Sequence, residues 1–125
     1  MNVVDSSAWL EYFADGPNAG DFAEAIQDAD NLVVPSITLF EVFKRIRVQR
    51  DSEIALRAVS QMRRGTVVDL DADLAIAAAD LSADLRLALA DSVILATAQA
   101  HDATVWTQDS DFEGLEKVEY RVHRA

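Results

Sequence analysis

The stretch LALADSVILATAQAHDATVWTQDSDFEGL, Leu87 to Leu115, decides how the rest of the chain is read. Its first twelve residues, Leu87 to Ala98, carry a single charge, Asp91, which predicts a largely buried helix. On a helical wheel Asp91 shares its face with Leu87, Ala88, Leu95 and Ala98. A carboxylate on an apolar face suffers a large desolvation penalty, so it must be protonated, paired with a cation or bound to a metal. Arg86, the nearest basic residue, is five positions away on the far side of the helix. The plainer account of Asp91 is a first-turn carboxylate meeting the helix dipole. After the helix comes a β-branched run, Thr104 to Trp106, and then at once the acidic turn of Asp109 and Asp111.

The same alternation extends to the N-terminus. Short β-branched runs lie at Val3-Val4, Leu32 to Val34, Thr66 to Val68, Thr104 to Trp106 and Glu119 to Val122, with helical patterns between them. This predicts an α/β domain built on a central, mainly parallel sheet of about five strands. Ser6-Ser7, Ser36, Asp71 to Asp73 and the Asp109 to Asp111 turn mark helix starts, Pro35 punctuates the second strand, and Gly65 is expected to close a helix. Crossover handedness puts the strand-to-helix junctions on one edge of the sheet, where open α/β folds bind ligands. No repeat or linker divides residues 1–125, so a single domain is expected.

Composition narrows the chemistry. The chain has no cysteine, which excludes disulfides and thiolate metal sites and makes zinc a poor fit. Uncharged stretches such as Ser92 to Ala100 are far too short to span a bilayer, and Asp5 interrupts the N-terminal apolar run, so a cytoplasmic protein without a membrane partner is expected. The net charge of −11 argues at first against a nucleic-acid partner. Between Lys44 and Arg64, however, stand seven of the eleven basic residues against two acidic ones, a local charge of +5. That segment is either a positive strip for phosphate or a pair of solvated helix faces.

Four further acidic positions need a reason. Glu41 sits on a helix, Ser36 to Arg50, that is apolar on two sides: Leu39, Val42, Phe43 and Ile46 form one stripe, and Ile37, Phe40 and Val48 approach a second. Glu41 lies on the second side, where it is either screened from water or paired with Arg45 one turn on. Asp5 directly follows the first strand and reads equally as a helix cap, and Asp109 and Asp111 as turn residues. Convergence on one sheet edge favours another reading: clustered carboxylates repel unless a hard dication neutralises them, and oxygen-only donors suit Mg²⁺ or Mn²⁺. Such a centre hydrolyses phosphodiesters, with Ser6, Ser7 and Thr107 able to supply hydroxyls or caps nearby. His101 and His123 fall in no motif and are expected to be surface or packing residues.

Three segments, VVDSSAWLEYF, PSITLFEVFKR and LALADSVILATAQAHDATVWTQDSDFEGL, together resemble the PIN-domain family, and most closely its VapC-type toxin branch. The resemblance runs in order over nearly the whole chain. It implies a three-layer α/β/α sandwich. It also implies that Asp5, Glu41, Asp91 and Asp109 surround Mg²⁺ or Mn²⁺, with Asp111, Ser7 and Thr107 as auxiliaries. Homodimerisation, cleavage of RNA such as tRNA or rRNA by metal-activated water, and inhibition by a VapB-type antitoxin follow from the same resemblance. The basic end of the Ser36 to Arg50 helix, with Lys44, Arg45, Arg47 and Arg50, would then lie along the RNA path.

Other functions on the same architecture are distinguishable. A phosphoacceptor receiver domain needs a strand-end lysine near its acceptor, and the only lysines, Lys44 and Lys117, lie elsewhere. A silent scaffold that merely binds RNA or protein has no use for the four intact carboxylates. A non-toxin PIN nuclease of RNA processing or decay would share the chemistry and differ in physiology.

Overall fold

The computed structural model describes residues 1–124. Five short strands, β1 (Asn2–Val4), β2 (Leu32–Pro35), β3 (Thr66–Val68), β4 (Thr104–Thr107) and β5 (Val118–Tyr120), form one sheet in the order β3-β2-β1-β4-β5. Every pairing is parallel, with Val3 in register with Val33 on one side and Val105 on the other. Six helices connect them: α1 (Ser6–Phe13), α2 (Ala19–Gln27), α3 (Ser36–Gln49), α4 (Ser52–Met62), α5 (Ala72–Leu85) and α6 (Leu89–Ala100). This is the α/β architecture that the alternation of short apolar strands and helices predicts.

The strands are apolar on both faces because helices cover both. Val4, Leu32 and Val34 turn towards α1 to α4, where Trp9, Phe22, Val42 and Met62 complete one core. Val3, Val33 and Val105 turn the opposite way and pack on Ile94, Leu95 and Ala98 of α6 and on Phe112. Helix α5 packs on α6 instead of the sheet, through Ala78 against Val93 and Ala96. The result is the expected three-layer sandwich. No helix among the described residues is long and apolar enough to cross a membrane.

Three local readings change. The helix carrying Asp91 starts at Leu89, not Leu87, because Arg86 ends α5 in the left-handed region (φ 57°) and Ser82 Oγ donates to the Leu87 carbonyl at 2.7 Å. Leu87 stays buried, but as part of the α5–α6 connection. Strand β5 stops at Tyr120, and the Val122 carbonyl accepts from Asn18 Nδ2 at 2.9 Å instead of continuing the ladder. Gly65 does not cap a helix: α4 ends at Met62, and Gly65 lies at the entry to β3, pressed against β2.

A Cβ at Gly65 would stand 2.8 Å from the Leu32 carbonyl oxygen and 2.9 Å from Val34. Both are backbone or core atoms with no room to yield. Gly65→Ala should therefore destabilise the fold by about 1–3 kcal/mol, the usual cost of overpacking. Urea denaturation measures this, and an unchanged midpoint would show that β3 does not sit so close to β2.

Candidate metal centre

The strand order reverses between β1 and β4, so their carboxyl ends frame a crevice that no crossover helix fills. Asp5 follows β1 directly, and Asp109 stands two residues beyond β4. Asp91 enters from the first turn of α6, and Glu41 from the second turn of α3. All four line one groove of about 840 Å³. The fold thus brings together residues as far apart in the chain as Asp5 and Asp109.

Hydroxyl groups fix the acids in place. Asp5 is buried and caps α1 by accepting from Ala8 N at 2.9 Å through Oδ1, which also accepts from Ser7 Oγ at 2.8 Å. Its other oxygen accepts from Thr107 Oγ1 at 2.6 Å, and Thr107 in turn accepts from Asp109 N at 2.9 Å. The capping and site roles of Asp5 are therefore one arrangement. Ser6 Oγ donates to Glu41 Oε1 at 2.5 Å, and no ion pair joins Glu41 to Arg45 among the described residues. Asp109 Oδ1 accepts from Asp111 N at 2.9 Å and so caps the one-turn 3-10 segment Ser110–Phe112. Ser6, Ser7 and Thr107 give their protons to carboxylates, which leaves them positioning the acids and not reaching for phosphate.

The electrostatics are those of a site short of positive charge. Burial, then the charges of Asp109, Asp5, Asp111 and Glu41, raise the Asp91 carboxyl to about 7. Burial raises Asp5 to about 6 against the pull of its hydrogen bonds from Thr107, Ala8 and Ser7, with Asp109 adding a further upward push. No lysine or arginine pairs with any of the five carboxylates among the described residues. Asp91, Asp109 and Asp111 each offer an oxygen, and these oxygens lie within 4.8 Å of one another. An all-oxygen donor set at this spacing, with acids pushed towards neutrality, fits a divalent cation. The tightest trio thus includes Asp111, which the sequence marks only as auxiliary. Asp5 accepts from two hydroxyls and a backbone amide.

One wall of the groove is basic. Lys44, Arg45 and Arg50 line it, while Arg47 is not among the lining residues. On the same helix Val42 and Ile46 are buried, whereas Phe40 and Val48 are exposed, so the second apolar side of α3 is left open in the single chain. His101 caps α6, its Nδ1 at 3.0 Å from the Thr97 carbonyl, and stands apart from the groove. His123, expected to be a surface or packing residue, is exposed and lines the groove, as do Glu11 and Gln108. Glu11 was visible in principle, because it falls one helical turn beyond Ser7 on the same face of α1.

The raised carboxyls predict a pH-dependent stability. Unfolded, each carboxyl returns to about 3.8; folded, Asp91 and Asp5 retain protons to about 7 and about 6. In that window the native state binds more protons than the unfolded chain, so without metal its stability falls as pH rises. Asp91→Asn removes the larger share. In EDTA the variant should melt at a higher temperature than the parent near neutral pH and above, and the two should converge only below the unfolded carboxyl's value of about 3.8. Calorimetry across the range decides it, and parallel pH profiles would contradict the charge crowding.

Comparison with known proteins identifies the family and the fold. A family model described as PIN domain matches residues 3–118. Among solved structures, a toxin-antitoxin complex from Klebsiella pneumoniae superposes with a TM-score of 0.81 at 23% identity, covering 95% of this chain and 96% of that one. VapC20 of Mycobacterium tuberculosis, a Sarcin-Ricin loop cleaving toxin, gives 0.77 at 16% identity, covering 94% and 98%. VapBC2 from Rickettsia felis, bound to a DNA fragment from its promoter, gives 0.74 at 16% identity, covering 95% and 97%. A search of curated proteins found no match. Matched to the family model over residues 3–118 and sharing the fold of VapC toxins across nearly its whole length, this chain belongs to the PIN domain family of nucleases.

Proposed function

We propose that this protein is an endoribonuclease dependent on Mg²⁺, with Mn²⁺ able to substitute, and that it is the VapC-type toxin of a toxin-antitoxin pair. The observation that carries the reading is the convergence of Asp91, Asp109 and Asp111 oxygens with no compensating cationic side chain among the described residues. Asp5 and Glu41 complete the acidic lining of the same groove. A bound dication supplies neutralisation of phosphate charge and activation of water for hydrolysis. Thr107 and Ser7 hold Asp5, and Ser6 holds Glu41, in fixed orientations before substrate arrives. Lys44, Arg45 and Arg50 lie along the RNA backbone, and Arg47 extends the strip outside the groove.

The Mycobacterium relative that cleaves the Sarcin-Ricin loop supports structured cellular RNA, rRNA or tRNA, as the substrate, met in the cytoplasm. The Rickettsia VapBC2 and Klebsiella toxin-antitoxin complexes support a VapB-type antitoxin as partner. Phe40 and Val48, apolar and exposed along α3, offer an inhibitor segment or a sister subunit of a homodimer a surface to cover.

Purified protein should cut RNA with Mg²⁺ or Mn²⁺ and stop in excess EDTA. Asp5→Ala and Asp91→Asn should abolish cutting while circular dichroism remains native. Cleavage that persists in EDTA would refute the mechanism.

Positioning by Thr107 has its own test. Thr107→Val should slow cleavage by about 10–100-fold, the usual effect of losing a group that orients a metal-site residue, and Thr107→Ser should restore it. Equal rates for Val and Ser variants would remove the hydroxyl from the scheme.

The basic wall predicts a salt effect. Arg45→Ala should weaken RNA binding and lower the slope of log affinity against log salt by about 0.7 for a contact to a single strand. An unchanged slope would place Arg45 off the RNA.

A further inference from the structure

The groove continues past the acidic centre to groups that the proposed hydrolysis does not use. Glu11 lines it while only 7% exposed, and among the described residues it pairs with no cation. Its Oε2 accepts from Asn18 N at 2.9 Å. Its Oε1 has no hydrogen-bond partner among the described residues, yet it is not a sealed orphan, since the only such buried atom is Trp9 Nε1. Glu11 thus lines the groove and keeps one carboxylate oxygen that is neither hydrogen-bonded among the described residues nor fully enclosed. Gly16 packs against the carboxyl so closely that an added Cβ would overlap it. The loop after α1 is shaped around this charge.

Gln108 is the second group, and Asn18 fixes which way its amide faces. Arg124 Nε can only donate, so the Asn18 atom 2.8 Å from it is the oxygen Oδ1. Asn18 Nδ2 must then serve the Val122 carbonyl at 2.9 Å and Gln108 at 3.0 Å, and the Gln108 atom it meets is Oε1. Gln108 Nε2 is left with no partner among the described residues. A charged acceptor and an amide donor, both anchored on the buried Asn18, thus share the groove. Leu10 and Phe13 line it beside them, and Phe13 is itself stacked on Trp9 at 5.6 Å.

We propose that Glu11 and Gln108 form a base-reading subsite for guanine in the RNA strand beside the cleavage site, an inference that rests on the ribonuclease reading above. RNA is read in sequence through the Watson–Crick edges of unpaired bases stacked on side chains. Guanine alone presents two adjacent N–H donors, N1 and the 2-amino group, to a carboxylate, and its O6 accepts from the Gln108 amide. Adenine and cytosine offer the carboxylate one amino group, and uracil one imide N–H. Hydrogen bonds to a charged acceptor are about twice as strong as neutral ones, so the second donor decides the preference. Phe13 gives the base a surface to stack against.

Fluorescence anisotropy tests this without turnover, using the chain in an Asp91→Asn background so that the strand stays intact. The probes are labelled pentaribonucleotides of adenosine with guanosine, inosine, adenosine, cytidine or uridine at the centre. Guanosine should bind tightest. Inosine, which lacks the 2-amino group, should bind about tenfold more weakly. Glu11→Gln keeps the bond from Asn18 N and should reduce the differences to about twofold. Gly16→Ala should do the same by displacing the carboxyl, and thermal melts check that both variants fold. Equal binding of all five probes, preference for another base, or a guanine preference that survives both variants overturns the assignment. Free GMP binding as tightly as the pentamer would also overturn it, in favour of a mononucleotide pocket. Sequencing of RNA ends produced by the parent protein separates the two proposals. Metal-dependent cuts without base preference would remove the subsite and leave the nuclease, while guanine-selective binding with no cleavage would do the reverse.

Discussion

Repulsion among like charges at one end of the sheet is the constraint around which this molecule is organised. Five carboxylates gather there, and the charge of four of them helps to hold Asp91 near half-protonated at neutral pH. A fold does not collect such a cluster for its own stability, because each further acid makes the others harder to ionise. The rest of the structure supplies what is needed to tolerate it. Two apolar cores on opposite faces of an all-parallel sheet hold the scaffold rigid, and the reversal of strand order opens the crevice where the acids meet.

Hydroxyls make the cluster orderly. Thr107 is fully buried at the end of β4 and joins Asp5, on the neighbouring strand's exit, to the backbone of Asp109. It is thereby both a donor to one acid and the acceptor that shapes the turn carrying another. A neutral hydroxyl can do this without cancelling the negative charge, which an arginine or lysine in the same place would do. The absence of cationic partners among the described residues and the abundance of hydroxyl partners are two sides of one design.

Strands and helices were legible because both cores impose simple periods: Val3 and Val4 belong to opposite faces, and β2 is apolar throughout because both its faces are covered. Asp91 announced itself as the one charge in an apolar segment. Its position in the first turn of α6, which the sequence offers as the plainer account, is decided by Arg86, whose left-handed conformation its residue type does not advertise. Gly65 misled for a related reason, since a glycine chosen for close approach to β2 looks in sequence like one chosen to end a helix. The weight carried by Asp111, and the Ser6 bond to Glu41 in place of the Arg45 pair, depend on long-range placement that no local pattern encodes. Glu11 and Gln108 are joined only through Asn18, and that junction exists only in three dimensions.

Helix α1 ties these parts together. Asp5 caps it, Ser6 at its first residue orients Glu41, Ser7 at its second holds Asp5, and one turn further Glu11 faces the same groove. Because successive turns of a single rigid helix carry these groups, the spacing between the acidic centre and the Glu11 carboxyl is set by helix geometry, about 1.5 Å of rise per residue, and not by a loop. A change that rotates or slides α1 therefore moves the acid, its orienting hydroxyls and the neighbouring carboxyl together. The buried Trp9 and Ala8, packed between these polar positions against Val4, Phe22 and Val42, keep that rotation from occurring. Core packing and site geometry are in this sense the same constraint, read from opposite faces of one helix.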